Sequence, residues 1–192
     1  MQNRFNKGSH MHNHRSQTHV DQYETQGGLH IQRHIETLPN NDALHTLVEQ
    51  LDAHQGVLLS SGFEYPGRYT RWDIGFVDPP IMLTSHQRNF TIKALNDRGK
   101  VLLSFIEVIL KSSTYIEAID IRPQTIEGSL IKASPPESEE LRSRSISIFS
   151  LLRSLKSFFH SDFDPYLGFY GAFGYDLAFE FDPVEKKIPR SE

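Results

Sequence analysis

The chain has 192 residues, 38% of them hydrophobic and 23% charged, with a formal net charge of −4. A chain of this length fits one domain, can bury roughly 70% of its unfolded surface, and is too apolar for a disordered polymer. The lack of cysteine excludes disulfides, thiolate nucleophiles and cysteine-ligated zinc, and the charge, without a basic stripe, argues against nucleic acid.

The apolar runs, such as Val101 to Phe105, are only a few residues long. A membrane helix needs about 20, so no membrane partner is expected. No apolar leader occupies the first 25 residues, and cytoplasm is the expected compartment.

Residues 1–22 are polar and patternless, and read as a disordered tail rich in histidine: His10, His12, His14 and His19. Such a tract can hold metal. Gly8-Ser9-His10-Met11, however, looks like a cloning remnant, and a loose tail cannot orient imidazoles, so no metal site is expected. The domain proper is placed at 23–192. Leu29 to Thr37 reads as a strand after the Gly27-Gly28 break. Asp42 is positioned to cap a helix through His54, with Leu44, Leu47, Val48 and Leu51 along one face and Gly56 ending it.

Val57 to Ser61 is mainly apolar and predicts a buried strand that emerges at two serines. Tyr65-Pro66-Gly67 signals a turn, Trp72 to Val77 a strand stopped by Asp78-Pro79-Pro80, and Ile81 to Ser85 an extended segment. Phe90 to Leu95 and Val101 to Ile109 flank Asn96-Asp97-Arg98-Gly99, which predicts a hairpin. Ser112 to Pro136 is ambiguous, with Ile119 and Ile121 suited to a short strand. Glu137, Glu139 and Glu140 suit the start of a helix whose apolar face holds Ile148, Leu151, Leu152, Leu155, Phe158 and Phe159, broken at Asp164-Pro165. Leu167 to Phe173 predicts a buried strand. The string gives an α+β fold of antiparallel strands with helices covering the sheet faces.

No Walker loop, zinc-protease or nucleophile-elbow motif is present. Gly168, Gly171 and Gly174 mimic a phosphate loop but lack its lysine, and close packing around a strand explains them better. Asp162, Asp164, Asp176, Glu180 and Asp182 could do acid–base work, though solvated carboxylates are the commoner case. Ser60 and Ser61 lack a patterned base, and two hydroxyls at a strand end suit contact with a small polar ligand. Arg68 to Asp73 fits either a carboxylate-binding surface or a shielding ladder.

Two segments carry a family resemblance. Ser60-Ser61-Gly62-Phe63-Glu64-Tyr65-Pro66-Gly67-Arg68-Tyr69-Thr70-Arg71-Trp72-Asp73 resembles the early signature of fused, single-chain anthranilate synthases, and Gly168-Phe169-Tyr170-Gly171-Ala172-Phe173-Gly174-Tyr175-Asp176-Leu177-Ala178-Phe179-Glu180-Phe181-Asp182 resembles a later one. Val77-Asp78-Pro79-Pro80 matches between them. The resemblance runs from about residue 23 to the end of the chain.

It implies the amino-terminal region of the large component, half of a sandwich of two antiparallel sheets flanked by helices. The family converts chorismate and glutamine-derived ammonia to anthranilate and pyruvate, in tryptophan biosynthesis. By the resemblance, the chorismate and Mg²⁺ sites belong to a carboxyl-terminal domain, joined to a glutaminase domain, and both would be partners of this lobe. No cofactor and no catalytic residue are then expected in these residues, and the lobe would be inactive alone.

The resemblance also implies part of the L-tryptophan feedback site. Leu58-Leu59-Ser60-Ser61 aligns with the L-L-E-S of many relatives, making Leu59 and Ser61 effector contacts, with Ser60 in place of the glutamate and Tyr69 and Arg71 nearby. Alternative readings are a stand-alone amino-acid-binding module, or the equivalent lobe of an aminodeoxychorismate or isochorismate synthase; the Arg68 to Asp73 run argues against the latter.

Overall fold

A computed structural model describes residues 17–37, 42–61, 65–68, 72–132, 145–175 and 177. Strand β1 (Gln17–Glu24) pairs antiparallel with β2 (His30–Thr37). Helix α1 (Asp42–Leu51) leads to the ribbon of β3 (Gly56–Ser61) and β4 (Trp72–Val77). Strands β5 (Ile81–His86), β6 (Asn89–Ala94), β7 (Ile116–Arg122) and β8 (Thr125–Leu130) form an antiparallel sheet in the order β5-β6-β8-β7. Helix α2 (Asp97–Ser112) joins β6 to β7, and α3 (Ile148–Phe159) follows β8. The mixture is α+β, as the pattern predicts.

The core lies between the four-stranded sheet and the two longer helices. Phe90, Ile92 and Ala94 alternate inward along β6, and Ile126 and Leu130 do so along β8. They meet Leu103, Ile106 and Leu110 of α2 and Ile148, Leu151, Leu155 and Phe159 of α3. Each leucine or isoleucine so buried contributes about 1.5–3 kcal/mol, which fixes both helices on one sheet face.

The expected hairpin at Asn96 to Gly99 is instead the start of α2. Asn96 has extended backbone and accepts the Gly99 N–H through its side chain at 3.1 Å, an N-cap. Leu103, Ile106 and Leu110 then recur at the helical spacing. Gly99 sits so close to β5 that a Cβ would collide with the Pro80 carbonyl oxygen, which explains a glycine inside a helix. The hairpin turns of this sheet lie elsewhere, at Gln87 between β5 and β6, where φ is 52°, and between Arg122 and Thr125.

The tail prediction also fails in part. Residues 17–22 belong to β1, paired residue by residue with 32–37, and Asp21 also meets Arg33 across the ladder. His10, His12 and His14 lie outside the described residues. Helix α1 stops at Leu51 rather than His54, and Gly56 opens β3 instead of closing the helix. The acidic start expected at Glu137 to Glu140 lies outside the described residues. Helix α3 begins at Ile148, where the Ser147 N–H donates to Ser150 Oγ at 3.3 Å, and ends at Phe159, ahead of Asp164-Pro165.

Leu167 to Phe173 is not a strand. Its aromatic rings lie against other rings instead: Phe169 on Phe159, Phe173 on Phe149, and Tyr170 on Phe76. Gly168, Gly171 and Gly174 have open space where a Cβ would go, so close packing does not account for them. The apolar spacing suited a ladder, but a ladder needs a neighbouring edge, and among the described residues none pairs with this segment.

Candidate functional site

The two serines end β3, and the register of the ribbon fixes what surrounds them. Ser61 pairs with Trp72, Ser60 with Asp73, Leu59 with Ile74 and Leu58 with Gly75. Successive side chains in a strand point to opposite faces. A Cβ on Gly75 would strike Leu47 of α1, so the face holding Leu58, Ser60, Asp73 and Gly75 is the helix side. Phe76 meets the ring of Tyr170 at 5.8 Å, which places Leu59, Ser61, Trp72 and Ile74 on the face toward the aromatic segment.

The predicted site residues are therefore split. Leu59 and Ser61 share one face, half-buried, while Ser60 lies on the other and donates its hydroxyl to Asp73 Oδ1. A carboxylate thus stands beside position 60 although β3 itself carries none there. Tyr69 and Arg71 lie outside the described residues. Arg68 has its guanidinium 6.0 Å from the Tyr65 ring centre, across the turn at Gly67, where φ is 77°. That φ is open to glycine without steric cost.

An open pocket of about 510 Å³ lies at the other end of the ribbon, next to where β3 starts and β4 stops. It is lined by Gln55, Asp78, Pro79, Leu95, Asn96, Asp97 and Arg98, and does not include the serines. Among the described residues no three His, Asp or Glu side chains are grouped to hold a metal. No helix among them is long and apolar enough to cross a membrane.

The strongest polar assembly was not legible as a site in the sequence. Arg33 of β2 donates through Nη2 to Asp21 Oδ2 and reaches Asp164 Oδ1 with Nη1, both at 2.6 Å. Tyr23 donates its hydroxyl to Asp164 Oδ2 at 2.6 Å, and His19 stands 2.6 Å from Asp21. The guanidinium also lies over the rings of Tyr23 and Phe163. Asp164 is buried, which corrects its reading as a solvated loop carboxylate; Asp162 is exposed and pairs with His160 at 3.0 Å. Asp176, Glu180 and Asp182 lie outside the described residues.

The electrostatics follow from this geometry. The Arg33 hydrogen bond holds the Asp21 carboxyl below its ordinary range, with His19 helping. Burial alone would raise Asp164, but the Tyr23 hydroxyl, the Tyr166 amide and Arg33 together outweigh it and keep it low. Burial, reinforced by the neighbouring Asp164 charge, pushes the Tyr23 hydroxyl well above its usual value. This is a clamp between the β1–β2 hairpin and the loop after α3. Its signal in sequence is faint, since Asp21, Arg33 and Asp164 become neighbours only through strand register and a distant loop.

Comparison with known proteins gives one relative that bears on these residues. The chain is 40% identical over 170 residues to an anthranilate synthase of Azospirillum brasilense. The match takes in 88% of this chain and 23% of the relative, so the chain spans less than a quarter of that protein's length. The resemblance carried by the two motifs thus extends over most of the chain. No protein-family model matches, and no solved structure matches.

Proposed function

We propose that these residues form the amino-terminal regulatory and scaffolding lobe of an anthranilate synthase in tryptophan biosynthesis. The observation that carries this reading is the 40% identity spread over 88% of the chain, which includes more than the two short motifs. In this reading the chain supplies part of an L-tryptophan feedback site through Leu59, Ser60 and Ser61, with Tyr69 and Arg71 contributing. Chorismate, Mg²⁺ and ammonia are handled by a chorismate-binding domain and a glutaminase domain, the partners of this lobe.

The architecture supports a scaffolding role. A firmly packed sheet-and-helix body carries a two-stranded ribbon whose outer face is only half covered. Helix α2 leaves Val101, Phe105 and Val108 in solvent at the i, i+4, i+7 spacing of one stripe. A lobe that shares a sandwich with another domain would present apolar surface of this kind.

Incubating the purified chain with chorismate, Mg²⁺ and ammonium tests the reading. Neither anthranilate fluorescence nor pyruvate should accumulate. Formation of either by this polypeptide would overturn it.

A further inference from the structure

We infer that Trp72 is an aromatic contact of the effector site, acting beside Ser61 and Leu59 on one face of the β3–β4 ribbon, and that Ser60 serves from the opposite face as a positioning residue. This inference rests on the reading of the ribbon as part of a tryptophan feedback site, and it selects which side chains touch the ligand.

The face assignment comes from two independent contacts. Gly75 toward Leu47 fixes Asp73 and Ser60 on the helix side, and Phe76 against Tyr170 fixes Trp72, Ile74, Leu59 and Ser61 on the other. Trp72 is 52% exposed, an unusual state for the largest apolar side chain in the protein. Its cross-strand neighbour Ser61 makes no side-chain hydrogen bond among the described residues, whereas the Ser60 hydroxyl is already engaged by Asp73.

A flat ring half in water, two aliphatic side chains and a hydroxyl match a planar aromatic ligand with a polar end. Indole presents its π-face for offset stacking, and Leu59 and Ile74 extend the apolar floor. The Ser60–Asp73 bond, on the reverse face, joins the two strands one pair away from Ser61 and Trp72.

Trp72 is the only tryptophan in the chain, so a ¹⁵N-labelled sample shows a single indole N–H signal. Unlabelled L-tryptophan, invisible in such spectra, is titrated in. The Trp72 indole and the Ser61 amide should shift together with one midpoint. Read at the Ser61 amide, Trp72→Ser should weaken binding by about tenfold and Trp72→Phe by only about twofold, the range that aromatic stacking provides. Ser60→Ala, which loses the bond to Asp73, should weaken binding by about twofold with the Trp72 and Ser61 signals still moving together, and Ser60→Thr should restore it; an unchanged affinity in Ser60→Ala would remove its positioning role.

Unchanged amide positions for Ile92 and Leu151 establish that each variant is folded; should Trp72→Ser fail that check, the indole titration of the unsubstituted chain decides. If the Ser61 amide moves while the Trp72 indole does not, or Trp72→Ser binds equally well, the inference is wrong and the feedback reading stands. If neither signal responds up to the solubility limit of tryptophan, the inference and the feedback part of the reading are overturned, and the scaffolding part stands.

Discussion

Two regions of this molecule are built to different standards. In the sheet β5-β6-β8-β7 with α2 and α3, side chains such as Ile92, Ile106, Ile126, Leu151 and Leu155 have no exposure at all. In α1, β3 and β4 no described apolar side chain reaches that state; Leu47, Leu51, Leu58 and Ile74 are half-covered. The same residue types appear in both, so the difference is one of layers. The sheet has helices laid on it, whereas the ribbon has one short helix on one face and scattered aromatic rings on the other. A dense body can hold a loosely covered ribbon in place and leave its open face for something else.

The most severe way to probe the contrast is by truncation. Leu151→Ala should lower stability by about 3–5 kcal/mol, since the closely packed neighbours cannot collapse into the space. Leu47→Ala on α1 should cost about 1–2 kcal/mol because its burial is partial. Urea unfolding compares them, and equal losses would abolish the distinction. Hydrogen exchange should agree, with amides of β6 and β8 opening only on global unfolding and those of β3 and β4 exchanging sooner.

Glycines give a second, smaller contrast. Gly99→Ala drives a methyl into the Pro80 carbonyl and should cost about 1–3 kcal/mol, as overpacking does. Gly171→Ala meets open space and should change the urea midpoint by less than about 0.5 kcal/mol equivalent. A large loss at Gly171 would restore the close packing that the sequence suggested.

Acid should act through the clamp before it reaches the core. Asp21 and Asp164 both titrate below their unfolded values of about 4. Their stabilisation is therefore complete above that unfolded value and is lost as pH falls through the lower folded values. Stability measured from pH 7 downward should stay level to about pH 5 and decline below about pH 4. In Asp164→Asn the decline should be shallower. Least of all, Ser60→Ala should alter stability by under about 0.5 kcal/mol, because its bond to Asp73 lies in solvent.

The sequence revealed strands and helices wherever one period dominated. Trp72 to Val77 and the apolar face of α3 were legible for that reason. It misled at Asn96 to Gly99, because the same residues suit a tight turn and a helix N-cap; only the helical spacing of Leu103, Ile106 and Leu110 separates the two. It misled again at Leu167 to Phe173, where aromatic content implied a ladder without saying what the partner edge would be. The site was readable as a motif, Leu59 to Ser61, but not as a surface. Which face each residue occupies depends on the register with β4 and on Leu47 lying behind Gly75.

The clamp also bears on kinetics. Tyr23 and Asp164 are separated by 141 residues, so their contact closes almost the longest loop the described chain offers. Closing a loop of that length costs entropy before the contact stabilises anything, so this contact is expected to form late on the folding path. Interactions absent from the transition state govern how fast a protein comes apart and leave its assembly rate nearly untouched. Asp164→Asn should accordingly speed unfolding while refolding keeps its pace, making this fastening a brake on the escape of the amino-terminal hairpin.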